Sequence, residues 1–179
     1  YLRVGDACLS VDPLSSQGVH LALQSALQSA VVVNTLLRKA EDNEVAAEFF
    51  RLRAAERVQR YRERTQKEYA TAGARHSNAF WQERGGAIAT DVHPSSVAAC
   101  TPTEHVIVSP DVRFDTVPVI VGSFVELRHV VSHPGIAGCI AFLEGVELAP
   151  LLSTFPASAP YGELASLWRD AASSETADK

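Results

Sequence analysis

Residues 5–20 read Gly5-Asp6-Ala7-Cys8-Leu9-Ser10-Val11-Asp12-Pro13-Leu14-Ser15-Ser16-Gln17-Gly18-Val19-His20, and this stretch decides the fold. The preceding "YLRV" reads as a short strand that closes in a Gly-Asp turn. Pro13 fixes a loop, and Ser15 or Ser16 can cap a helix that runs from about Gly18 to Lys39. A carboxylate at a strand end accepts hydrogen bonds from sugar or polyol hydroxyls. A helix start presents unpaired N–H groups and a positive partial charge, which favour an anion or a group that becomes one. Gly18 leaves room for a flat ligand to approach the backbone. Together they suit a ligand with a hydroxylated chain at one end and an electron-accepting ring at the other. A capped helix after a turn explains any one of these residues, but not the spaced set.

Working outward, small and apolar residues at Ala22, Leu23, Ala26, Leu27, Ala30, Val31 and Val33 cover much of the first helix. That pattern predicts burial on more than one side. "AEDNE" is a break, with Asp42 or Asn43 as the next cap. A second helix spans about Glu44 to Arg75 and continues towards Arg84. Its core side is Val45, Phe49, Leu52, Ala55, Val58 and Tyr61 or Arg62. The opposite side interleaves Arg and Glu, with Glu56–Arg60 and Glu63–Lys67 at helical spacing, as a solvated face does. Gly85-Gly86 closes this half. From Val106 the composition turns β-branched, giving two or three short strands and then two short helices at "GVELAPLLSTF" and "YGELASLWRDAA". The division expected is 1–84, a linker at 85–105, a small strand-plus-helix region at 106–172 with a winged-helix-like character, and a frayed tail at 173–179. The fold class is α+β.

With 179 residues, 46% of them hydrophobic, and a net charge of -5, the chain can bury a real core. The acidic balance argues against a nucleic-acid partner. The first helix carries Gln24, Gln28 and Asn34, too polar for a membrane span. Cys8, Cys100 and Cys139 form no paired framework, and cytoplasm is the expected compartment. His129 and His133 stand four apart, but on a strand reading ended by Pro134 that spacing holds no metal. His20 reads as a polar residue of the first turn, with acid–base work as the other option. Phe80 and Trp81 read as packing residues, and Trp168 as the anchor of the last helix.

"GDA…DPLSSQGVHLAL" resembles the second flavin-binding motif of FAD-dependent monooxygenases of the p-hydroxybenzoate hydroxylase type. It is most similar to the branch holding flavin-dependent halogenases, geranylgeranyl-reductase-like enzymes and flavoproteins that modify residues for quinone cofactors. The resemblance covers residues 1–39 strongly and extends to "NAFW" at Trp81. It implies that Asp6 bonds a ribityl hydroxyl of FAD, with Gly5 permitting the turn. It places Pro13 beside the isoalloxazine, and the backbone N–H groups of Gln17, Gly18, Val19 and His20 towards its N1–C2=O edge. Asp12 stands where many hydroxylases have a second proline, and His20 where many have asparagine.

No GxGxxG, the dinucleotide fingerprint of that family, occurs in this sequence, and there is no methionine. The chain is therefore expected to be the C-terminal portion of such an enzyme. Its partner would be an N-terminal half carrying the FAD pyrophosphate and substrate sites. The resemblance implies a monooxygenase or halogenase-like oxidoreductase using reduced flavin and dioxygen, with NAD(P)H or reduced flavin as electron source. The substrate would be a small molecule or a protein side chain. A flavin-dependent reductase, or a non-enzymatic helical and winged-helix-like interaction module, are the alternatives.

Overall fold

A computed structural model describes residues 1–12, 16–76, 78–85 and 100–177. The protein is α+β. Two compact units divide it: Tyr1–Asp91 with Pro118–Glu126, and Val92–Val117 with Leu127–Lys179.

The first unit is built on α1 (Gly18–Arg38) and α2 (Asn43–Arg75). Between them Ala40–Asp42 forms a tight 3-10 turn, and Asp42 is the residue preceding α2. The second helix stops at Arg75 because His76 is extended, and a separate α3 (Ala79–Gly85) takes up the "NAFW" residues. Asn78 opens α3, its Oδ1 accepting the Phe80 N–H at 2.9 Å. α3 folds back on α2 so closely that a Cβ on Gly85 would lie 2.8 Å from the Ala70 Cα. Backbone cannot give way as a side-chain tip can. Gly85→Ala is expected to destabilise the protein by about 2 kcal/mol, read by urea unfolding.

The helix faces differ from the periodic expectation. On α1 the buried residues are Ser25, Ser29, Val32 and Thr35, whereas Leu23, Leu27, Val33 and Leu37 are exposed. Ser25 and Thr35 are buried there because they bond backbone: Ser25 accepts from the Gly5 N–H, and Thr35 accepts from the Val125 N–H at 2.9 Å. On α2 the buried set is Ala46, Phe49 and Arg57, while Ala55 and Arg62 are exposed. Arg53–Glu56 at 2.9 Å and Arg60–Glu56 at 3.8 Å lace its outer side.

The core of this unit is Val32, Ala46, Phe49 and Val125, flanked by Leu2, Val31, Leu36, Val45 and Phe50. Val125 arrives from a hairpin, β2 (Arg113–Val121) and β3 (Phe124–Ser132), joined by the two-residue turn Gly122–Ser123. Asn34 Nδ2 donates to the Ser123 carbonyl at 2.8 Å, and Lys39 Nζ meets Glu126 Oε1 at 2.6 Å. That bond raises the Lys39 pKa.

The second unit holds β1 (His105–Ile107), the remainder of β2 and β3, β4 (Cys139–Ile140), β5 (Phe142–Leu143), β6 (Val146–Glu147), α4 (Leu148–Thr154), β7 (Ser158–Pro160) and α5 (Tyr161–Ala177). Its strands make small sheets of order β1-β7, β2-β3-β4 and β5-β6. β1 and β7 run antiparallel with Val106 opposite Ala159. Arg128 Nε meets Glu147 Oε1 at 3.1 Å. Among the described residues no helix is long and apolar enough to cross a membrane.

Candidate functional site

The expected strand at "YLRVGDA" is not one. Val4 is extended, but no strand among the described residues pairs with it, and Gly5–Ala7 is a 3-10 turn. Gly5 opens the turn at φ +57, a conformation that disfavours any side chain. A Cβ there would also stand 3.4 Å from the Ala22 Cβ on α1. The turn is thus pressed on the second turn of α1, where the Gly5 N–H donates to Ser25 Oγ at 2.9 Å. Ser25 Oγ in turn donates to the Ala22 carbonyl at 2.8 Å.

From this turn the chain runs across α2, held at three further points. Arg57, 7% exposed, extends Nη1 to Cys8 Sγ at 3.7 Å and Nη2 to Gln28 Oε1 at 2.6 Å, tying loop, α1 and α2 together. The Asp12 backbone N–H donates to the Tyr61 hydroxyl. Tyr69 OH donates to Asp12 Oδ2 at 2.5 Å, and this bond is the largest cause of a raised Tyr69 pKa. Tyr69 is itself packed between Trp81 (centroids 5.8 Å) and Phe80 (6.3 Å) of α3. The packing role expected for Phe80 and Trp81 is therefore the observed one.

Asp6 points out of this strapped loop. It is exposed, and among the described residues its carboxylate has no partner. Pro13 and Ser15 lie outside the described residues. Ser16 does not cap α1: it sits at φ +51, a left-handed conformation costly for a non-glycine residue. Gln17 precedes the helix, its carbonyl accepting the Leu21 N–H at 2.9 Å, and it makes no side-chain cap. The N–H groups of Gly18, Val19 and His20 therefore lack intrahelical acceptors, as in any first turn. Among the described residues a Cβ on Gly18 would meet only the Val11 Cγ2, at 3.7 Å. Val19, at 76% exposure, and His20 face outward.

The loop with Gly5 and Asp6 and the helix start with Gln17, Gly18, Val19 and His20 thus belong to one structure, the loop lying along the first turns of α1. The holding residues Ser25, Arg57, Tyr61 and Tyr69 do not stand out as site residues in the sequence. Their signal is a ridge on α2 at 57, 61 and 69, in steps of four and eight, where aromatic and charged residues replace aliphatic ones.

In the second unit, His129 Nδ1 lies 3.0 Å from Thr116 Oγ1. His133 Nδ1 accepts the Gly135 N–H at 2.9 Å, so Nε2 carries the proton towards Ser109 Oγ at 3.2 Å. Among the described residues no three His, Cys, Asp or Glu groups cluster to hold a metal. A concavity of about 660 Å³ opens among Val106, Leu143, Phe155, Tyr161, Leu164 and Trp168, with Arg169 and Glu144 at its lining. Trp168 therefore lines a groove.

A family model for tryptophan halogenases matches residues 1–114, which include the strapped loop and all three helices of the first unit. The chain belongs to the tryptophan halogenase family. Among solved structures this family member is similar to the peptidyl tryptophan dihydroxylase QhpG, essential for tryptophylquinone cofactor biogenesis. The identity is 32% and the TM-score 0.64, over 87% of this chain and 35% of QhpG. It is also similar to CmlS, a flavin-dependent halogenase, at 17% identity and TM-score 0.52, over 94% of this chain and 37% of CmlS. The second likeness is one of fold. The chain spans about a third of the length of either protein. No curated protein matches.

Proposed function

We propose that this chain supplies one wall of the FAD site of a flavin-dependent oxidoreductase that oxygenates or halogenates its substrate. The observation that carries the reading is the uncapped start of the 21-residue α1, glycine first, beside a loop strapped so that the Asp6 carboxylate stays open. These residues fit the cofactor from the side they can reach. Asp6 accepts a bond from a ribityl hydroxyl. The N–H groups of Gly18, Val19 and His20, with the positive end of α1 behind them, stabilise negative charge on the ring's N1–C2=O edge. Bound FAD, once reduced by NAD(P)H or by a reductase, supplies the redox chemistry with dioxygen. A protein of the size of QhpG has room for the pyrophosphate site that these residues do not form.

The partner of this wall is the N-terminal half of the same flavoprotein. The exposed residues Val19, Leu23, Leu27, Val33 and Leu37 make a stripe along α1 that begins at the proposed flavin contact. We assign that stripe to packing against the FAD-binding half. Leu27, 72% exposed here, then becomes buried. Leu27→Ala should lower the stability of the complete protein by about 2 kcal/mol in urea unfolding. No change would place the stripe at the surface of the whole protein.

For the substrate, the 32% identity to QhpG favours a tryptophan side chain within a polypeptide over a small free indole. The groove around Trp168 favours a contribution of residues 106–172 to holding that polypeptide, and gives the winged-helix-like interaction reading its remaining place. The test is expression of the complete protein. It should purify with visible flavin absorbance and consume oxygen on reduction. A folded, colourless protein that takes up no FAD overturns the reading. With holoenzyme in hand, mass spectrometry of a tryptophan-containing peptide separates oxygenation from halogenation, and an unchanged peptide removes this substrate class.

A further inference from the structure

We propose that Ser25 is a positioning residue for the flavin site, setting the Asp6 carboxylate at a fixed offset from the start of α1. The inference rests on the flavin reading above. Asp6 is the middle residue of the Gly5–Ala7 turn, and the residue before it is fixed on both sides. The Gly5 N–H donates to Ser25 Oγ at 2.9 Å. The Gly5 carbonyl, which belongs to the peptide unit leading into Asp6, accepts the N–H groups of Cys8 at 2.9 Å and Leu9 at 3.1 Å. Ser25 is 1% exposed, and its own proton is committed to the Ala22 carbonyl at 2.8 Å. That leaves its lone pairs for the Gly5 N–H, so the hydroxyl holds the turn in one orientation.

Ser25 stands on the same helix whose first N–H groups are assigned to the ring. Ala22 and Ser25, the two α1 residues that meet Gly5, lie four and seven positions beyond Gly18. At about 1.5 Å per residue, the turn is seated about 6–10 Å along α1 from the helix start. A ribityl chain runs away from the ring over several bonds, so its hydroxyls need an acceptor at an offset rather than at the helix start itself. A second hold refers to the same helix. Arg57, 7% exposed, donates from Nη1 to Cys8 Sγ at 3.7 Å and from Nη2 to Gln28 Oε1 of α1 at 2.6 Å. The turn is therefore held to α1 at Gly5, before Asp6, and through Arg57 at Cys8, after it. Ser25 thus gauges the distance between two flavin contacts, one reached through Gly5 and Asp6 and the other along α1.

The experiment uses the complete protein and compares Ser25→Ala, Asp6→Ala and their combination, with FAD and with lumiflavin, which has the ring but no ribityl chain. Readouts are the two dissociation constants by fluorescence quenching, and hydrogen–deuterium exchange of residues 1–9 in the flavin-free protein. Ser25→Ala should weaken FAD binding about tenfold and leave lumiflavin binding within about twofold of wild type. The helix start that meets the ring is untouched by this change, whereas a general loosening of the fold weakens both ligands. The double variant should bind FAD no more weakly than Asp6→Ala, because Ser25 acts only through Asp6. Wild-type FAD affinity in Ser25→Ala, equal losses for the two flavins, or additive losses in the double variant overturn the proposal. If Ser25→Ala fails to fold, Ser25→Cys, which keeps a weak acceptor of similar size, takes its place under the same criteria. A wild-type protein that binds no flavin sinks the flavin reading alone. Exchange then decides the hold: the Gly5 amide should exchange about tenfold faster in Ser25→Ala, and unchanged exchange refutes it.

Discussion

Gly18→Glu in the complete flavoprotein is expected to weaken FAD binding by about a hundredfold while leaving thermal stability unchanged or slightly raised. The two halves of that expectation have separate causes. Among the described residues a Cβ would meet only the Val11 Cγ2, at 3.7 Å, an ordinary van der Waals contact. A carboxylate in the first turn of a helix interacts favourably with the helix dipole, and glutamate is a better helix former than glycine. Among the described residues the fold therefore meets no obstacle to the side chain. The proposed ligand does lose, because the new carboxylate occupies the approach to the Gly18, Val19 and His20 N–H groups and brings negative charge to where the reduced ring needs positive charge. Gly18→Ala should cost only a few-fold, since a methyl narrows the approach without adding charge. Fluorescence titration with FAD, alongside a melting curve, reads both quantities. Undiminished affinity in Gly18→Glu would remove the helix start from the flavin site.

Features with local causes are legible in the sequence, and features with distant causes are not. The loop-to-helix pattern starts α1 at Gly18, and the observed helix ends at Arg38, one residue from the expected Lys39. Both long helices have sequence-local causes: uninterrupted runs of helix formers and a break at "AEDNE". The loop motif is legible because several spaced residues agree. The "YLRV" strand fails because a strand needs a neighbour, and no strand among the described residues provides one. The helix faces fail for a different reason. Apolar periodicity assumes that burial tracks hydrophobicity, yet Ser25 and Thr35 are buried at 1% and 0% because each bonds backbone from a distant segment. Leu23 and Leu27 remain exposed on the opposite side. A periodic reading does not distinguish a face buried within the chain from one reserved for another part of a larger protein.

The hairpin tip is the least legible feature, and it carries the second large effect. Val125→Asp is expected to cost about 4 kcal/mol in urea unfolding. Val125 is fully buried against Val32, Ala46 and Phe49, in a part of the chain that sequence assigns to the C-terminal region. An aspartate there must either ionise in an apolar core or take up a proton, and either option favours the unfolded chain. The backbone N–H of Val125 donates to Thr35 Oγ1, which in turn donates to the Val31 carbonyl at 2.9 Å. Thr35→Val isolates that link: it keeps the shape, leaves the Val125 N–H without an acceptor, and should cost about 2 kcal/mol. Asn34 and Lys39 bond the same tip from exposed or part-buried positions, and their loss should matter much less. If Val125→Asp unfolded at the wild-type urea midpoint, the tip would not be part of the first unit's core. The effect reaches the proposed site because α1 and α2 enclose both. Phe49 and Ala46 pack the tip at the start of α2, and Arg57, Tyr61 and Tyr69 hold the segment ending at Asp12 further along the same helix. A helix that loses its core at one end does not hold a loop to ångström tolerance at the other. Val125→Asp should therefore also lower FAD affinity, whereas Gly18→Glu lowers affinity alone, and the contrast separates a residue that supports the site from one that meets the ligand.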